Sequence, residues 1–136
     1  MRIRLDLAYD GAGFSGWAKQ PGRRTVQGDL EAALEQVLRV SEARVVVAGR
    51  TDTGVHALGQ VCHVDVEQWP DQTQRRLNAV LADDVRIRAA GPAPDGLWRA
   101  LPYRPGCFLH GNAVYNKVIP PGRLRRNRAM LRPYLS

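Results

Sequence analysis

One short stretch concentrates the groups able to do chemistry: Gly49-Arg50-Thr51-Asp52-Thr53-Gly54-Val55-His56-Ala57-Leu58-Gly59-Gln60-Val61. It holds one carboxylate, one guanidinium, two hydroxyls, one imidazole and three glycines. A carboxylate can serve as a nucleophile, as a general base or as a plain turn former. Asp52, between Thr51 and Thr53 and followed by Gly54, is open to all three readings. A nucleophilic Asp must be ionised, and a nearby cation such as Arg50 favours that form. His56 offers acid–base capacity, but a lone histidine is more often a hydrogen-bonded structural group, and His63 is read the same way. These two histidines lack further ligands at metal spacing, so no zinc site is expected.

The stretch needs elements to hold it. Ala43 to Ala48, with the β-branched run Val45-Val46-Val47, reads as a buried strand entering the loop. Val61-Cys62-His63-Val64-Asp65-Val66 reads as a strand leaving it. Upstream, Arg2 to Tyr9 alternates polar and apolar residues, with Ile3, Leu5, Leu7 and Tyr9 on one face of a half-buried strand. A long loop follows, with glycines at 11, 13, 16 and 22 and a proline at 21. Its aromatics, Phe14 and Trp17, can stack on nucleic-acid bases or fold back over the sheet edge. Thr25 is placed as an N-cap, and Val26, Leu30, Ala33, Leu34, Val37 and Leu38 recur at helical spacing. Asp29 and Glu31 near the start and Arg39 near the end suit the helix dipole.

Downstream, Glu67-Gln68-Trp69-Pro70 breaks the third strand. Asp71 with Gln74 three residues later predicts a capping box. Leu77, Val80 and Leu81 predict a short amphipathic helix, and Val85 to Ala89 a fourth strand. The order β-α-β-β-α-β over residues 2–90 is that of an α+β, ferredoxin-like split βαβ sheet. It predicts four antiparallel strands with both helices on one face.

The charge is unevenly spread. The net charge is +7, yet residues 1–96 carry 12 Lys and Arg against 13 Asp and Glu, a balance of −1. Residues 97–136 carry eight basic residues and no acid, a balance of +8. Basicity is therefore a property of the tail and says little about whether the first 96 residues meet nucleic acid. Local cations there could still do so, namely Lys19, Arg23, Arg24, Arg50, Arg75 and Arg76. No apolar run reaches the length of a membrane span, and nothing after Met1-Arg2-Ile3-Arg4 reads as a signal peptide, so a cytoplasmic protein is expected. Cys62 and Cys107 have no metal spacing and are expected to be free thiols.

The string Arg50-Thr51-Asp52-Thr53-Gly54-Val55-His56-Ala57 resembles the signature of the tRNA pseudouridine synthase A family. Tyr9-Asp10-Gly11, Phe14, Gly16 and Gln20 resemble that family's opening. Thr25-Val26-Gln27-Gly28, Asn78-Ala79 and Asp83-Asp84-Val85 resemble further parts of it. The resemblance implies isomerisation of uridine to pseudouridine in the tRNA anticodon stem-loop, at positions 38, 39 and 40, with Asp52 as catalytic nucleophile. Attack at uracil C6 and attack at ribose C1′ both remain open. The resemblance also implies that Arg50 assists flipping of the target base. Arg50 and Thr51, with the local cations Lys19, Arg23 and Arg24, are taken as the RNA-binding set, although Thr51 and Thr53 read from the residues as setting the loop's shape. No metal or other cofactor is implied, because no electrons or phosphoryl groups move. tRNA is the implied partner, and homodimerisation is the family's habit.

The resemblance covers residues 1 to about 96, one α/β half of a family built from two. The missing half would supply an aromatic packed on the target base and a basic group paired with the carboxylate, so dimerisation and turnover are both in question for this chain. Residues 97–136 form a basic, Pro-rich tail expected to be irregular, with Phe108-Leu109 and Val114-Tyr115 as short pieces able to make a strand. The family continues with a Phe-x-Ala-Arg-Phe string. Reading Leu97-Trp98-Arg99-Ala100-Leu101-Pro102 from the second base of the Leu97 codon permits Phe-Gly-Ala-Arg-Phe, which suggests that the tail is translated out of frame. Two rival readings remain: an RNA-binding module without catalysis, and a truncated, inactive remnant.

Overall fold

The computed structural model describes residues 1–93, 117–119, 133 and 135. Its elements are β1 (Arg2–Tyr9), a single 3-10 turn (Gly11–Gly13), α1 (Val26–Leu38), β2 (Val45–Val47), β3 (His56–Asp65), α2 (Thr73–Val80), β4 (Val85–Pro92) and β5 (Lys117–Ile119). The first four strands lie in the order β2-β3-β1-β4 and pair antiparallel throughout. This is the α+β split sheet that the sequence predicts.

β1 is the middle of the sheet. Leu5 pairs with Cys62 of β3 on one side and with Ala90 of β4 on the other. Its alternation is real: Ile3, Leu5, Leu7 and Tyr9 are buried in one core with Val26, Leu30 and Leu34 of α1 and Leu77 of α2. Both helices therefore cover the same face, and they touch each other. Burial of each such leucine contributes about 2 kcal/mol. Cys62 belongs to this core, and its burial pushes the thiol well above its ordinary range.

α1 starts as its sequence dictates, with the Thr25 hydroxyl accepting the Gly28 N–H at 3.1 Å. It ends at Arg39, which takes a left-handed conformation (φ 56°). α2 departs from expectation. The capping box of Asp71 and Gln74 does not form: Gln72 holds the N-cap position with φ 71° and no side-chain cap. The helix starts too late for Asp71 to cap it, and the Gln74 amide instead donates to the Ile87 carbonyl at 3.2 Å. Asn78 fixes α2 to β4 by donating to the Ile87 carbonyl and accepting its N–H.

Two strands are longer than their patterns suggest. β4 runs on to Pro92, and β3 begins at His56, inside the stretch read as loop. β3 is buried on both faces over most of its length, so no polar–apolar alternation marks its start. The tail is not wholly irregular. β5 pairs antiparallel with β3, His56 facing Ile119 and Ala57 facing Val118. The strand-like pieces at 108–109 and 114–115 lie outside the described residues, as does Cys107. No helix among the described residues is long and apolar enough to cross a membrane.

Candidate active site

The Asp52 loop runs from the end of β2 to the start of β3, and each of its turns has a partner. The Ala48 N–H donates to the Val61 carbonyl at 2.8 Å, closing the exit from β2. The Gly49 carbonyl accepts from the Gln60 amide at 2.7 Å. The Thr51 carbonyl accepts the Trp17 N–H at 3.0 Å, and the Thr51 hydroxyl lies 2.6 Å from the Tyr9 hydroxyl. The Asp52 carbonyl accepts the Val55 N–H at 3.1 Å, closing a turn whose third residue, Gly54, has φ 79°. A positive φ at that position favours glycine.

A second loop, residues 10–17, is pressed against the first. A Cβ on Gly16 would stand 2.9 Å from the Thr51 carbonyl oxygen, and Gly16 has φ 84°. A Cβ on Gly11 would overlap the Val55 carbonyl outright. These glycines are there because two backbones meet without room for a side chain. Phe14 and Trp17 fold back: both are buried, and their rings each lie 6.3 Å from the Tyr9 ring. Of the two roles open to these aromatics, the structure shows the covering one. His56 is buried beneath the same junction, its Nδ1 accepting the Gly11 N–H at 2.9 Å and standing 3.2 Å from an Asp10 carboxylate oxygen.

The outcome is a loop bound from below and open above. Asp52, Thr53 and Arg50 are exposed, and the side chains of Asp52 and Arg50 have no hydrogen-bond or ion-pair partner among the described residues. Thr51 faces inward, its hydroxyl committed to Tyr9, in keeping with a loop-shaping residue. Arg23 is exposed and its side chain is unpartnered among the described residues. Lys19 is exposed, with its ammonium 3.8 Å from Glu31. Arg24 is occupied: it forks onto Asp84 at 2.7 and 2.9 Å, reaches Asp29 at 3.0 Å and lies 4.1 Å over the Phe14 ring. The Asp84 carboxylate, first of all, raises the Arg24 pKa.

Sequence reasoning passed over Tyr9 and Gln60 as site residues. Both are buried beneath the loop, and burial pushes the Tyr9 phenol up to about 12, against the opposing pull of its bonds to Thr51 and Gln60. Gln60 shares β3 with the buried His56 and His63, so no local pattern singles it out, although a buried amide must find partners.

Fold and loop together define a split-sheet α+β unit that displays one carboxylate on a glycine-braced loop. The family profile described as tRNA pseudouridine synthase matches residues 7–101, and the chain belongs to that family. Among its relatives is the tRNA pseudouridine synthase A of Frankia casuarinae, 57% identical over 101 residues covering 71% of this chain and 36% of that protein. The Streptomyces griseus protein of the same name is 53% identical, covering 78% and 42% of the two chains. That of Cutibacterium acnes is 51% identical, covering 76% and 40%. The chain thus spans about two fifths of the length of the curated relatives it matches.

Proposed function

We propose that this chain carries the nucleophile-bearing half of an isomerase that converts uridine to pseudouridine in tRNA, with Asp52 as nucleophile. The observation that carries the reading is the contrast within one loop: Asp52 is exposed and unpaired among the described residues, while the backbone on either side of it is hydrogen-bonded to other elements. A carboxylate held in this way can attack without first breaking a bond of its own. The glycosidic C–N bond breaks, the uracil turns, and its C5 bonds to the ribose C1′. The bond to Asp52 breaks again, the proton on C5 leaves to solvent, and N1 takes up a proton, so the product is an isomer of the substrate.

Because the target base must leave its stack to be reached, a cation beside the carboxylate is useful. Arg50, exposed and two residues from Asp52, fills that place. Arg23 and Lys19, on the neighbouring loop, are proposed to meet phosphates. Arg24 braces that loop rather than the RNA. The anticodon stem-loop is the proposed substrate segment.

Incubating the chain with anticodon stem-loop tRNA tritiated at uracil C5 tests the reading. Tritium release that disappears in Asp52→Ala is the expected result. Equal release from both proteins, or none from the folded chain, would overturn it.

A further inference from the structure

We infer that Tyr9 and Gln60 are positioning residues that set where the Asp52 carboxylate stands, acting through one buried hydrogen-bond relay. The inference rests on the activity proposed above and goes beyond it by assigning two residues outside the exposed loop.

The relay is short and complete. The Gln60 side-chain amide has two N–H groups: one donates to the Gly49 carbonyl at 2.7 Å, the other to the Tyr9 hydroxyl at 3.3 Å. Its oxygen accepts the Val61 N–H at 3.0 Å, so every polar atom of a fully buried side chain is used. The Tyr9 hydroxyl lies 2.6 Å from that of Thr51, the residue directly before Asp52. Gln60 thus holds the residue before Arg50, and Tyr9 holds the residue after it. The Trp17 N–H fixes the Thr51 carbonyl from the adjacent loop, while the relay takes hold of the Thr51 side chain and of the Gly49 carbonyl. Tyr9 stays a neutral phenol through the working pH range, since burial holds its ionisation near 12. Its anchor is the C-terminal end of the central strand, paired with Ala57 of β3 and Val85 of β4.

A reacting group displaced by about 1 Å loses on the order of 10²-fold in rate. Removing a hydroxyl from the relay with little change of volume loosens the loop at Thr51 and leaves Arg23 and Lys19, which stand on the neighbouring loop, in place. Tyr9→Phe and Thr51→Val are each expected to lower kcat for tritium release by about 10- to 100-fold, with KM changed far less. The double variant is expected to lose no more than Tyr9→Phe alone, because Thr51→Val deletes a bond that Tyr9→Phe already removes together with the one from Gln60. Thr51→Ser restores most of what Thr51→Val loses.

A second readout does not need turnover. Amide hydrogen exchange, read by NMR, is expected to quicken in Tyr9→Phe at Trp17 and Val55, whose N–H groups bond the Thr51 and Asp52 carbonyls, while amides of β1 and β4 keep their wild-type rates. The inference is overturned by unchanged exchange at Trp17 and Val55, by additive losses in the double variant, or by unfolding of both single variants, which would make the relay a stability element alone. Absence of turnover in the unmodified chain would refute the proposed activity, and the exchange measurement would then decide the positioning by itself.

Discussion

Gly11→Ala is the sharpest perturbation of the two-loop junction. A Cβ built there stands 2.5 Å from the Val55 carbonyl carbon and closer still to its oxygen, whereas ordinary contact begins at 3.4 Å. One backbone must therefore retreat by roughly 1 Å. Overpacking of this kind costs about 1–3 kcal/mol. The Gly11 N–H bond to His56 stretches with it, adding about 1 kcal/mol. The total, about 2–4 kcal/mol, corresponds to a drop of roughly 10 °C in Tm for a domain of this size. Thermal unfolding followed by circular dichroism measures it. Gly91→Ala is the control, since nothing among the described residues lies within 4 Å of a Cβ there and its φ is not positive. If Gly11→Ala melts within about 2 °C of Gly91→Ala, the close approach of the two loops is wrong.

Two further expectations separate binding from bracing and tie stability to pH. Arg24→Ala is expected to lower stability by about 1–2 kcal/mol, through loss of its contacts with Phe14, Asp84 and Asp29. RNA affinity should then be unchanged. Arg23→Ala and Arg50→Ala should do the reverse, each cutting the salt dependence of tRNA binding by about one phosphate's share without moving the melt. Filter binding across a salt series, beside melting curves, checks both statements. His63 is buried, and burial first, with Arg2 second, lowers its pKa below the usual value. The unfolded chain therefore binds this proton more readily, so stability is whole above the unfolded pKa and declines as pH falls through that value toward the folded one. Melting curves from pH 7 down to pH 5 should show the decline, and His63→Gln should flatten it. An identical slope in that variant would remove His63 as its source.

The strand order and α1 were legible because their signals are local. Thr25 caps in sequence and in space, and Ile3, Leu5 and Leu7 alternate because only one face of β1 meets the helices. The start of β3 was hidden, because a strand covered on both faces has no reason to alternate. The capping box at Asp71 failed because the backbone at Gln72 turns left-handed before the helix begins. β5 left no readable trace, since three residues owe their place to a partner strand about 60 positions away. Within the site, the exposed Asp52 and Arg50 could be picked out by residue type. Tyr9 and Gln60 could not, because their contribution lies in pairings across 42 and 11 residues that no local pattern encodes.

The contacts that hold Asp52 in place also carry a timetable. The hydrogen bonds that brace Ala48, Thr51, Asp52 and Gly54 come from residues between Tyr9 and Val61. A chain made from its N-terminus outward has all of these pieces before β4 and β5 exist. The carboxylate loop can thus take shape vectorially, during synthesis, on the β1–β3 pairing. What is made later closes the core through β4, ties the neighbouring loop down at Asp84 and adds β5 to the β3 edge.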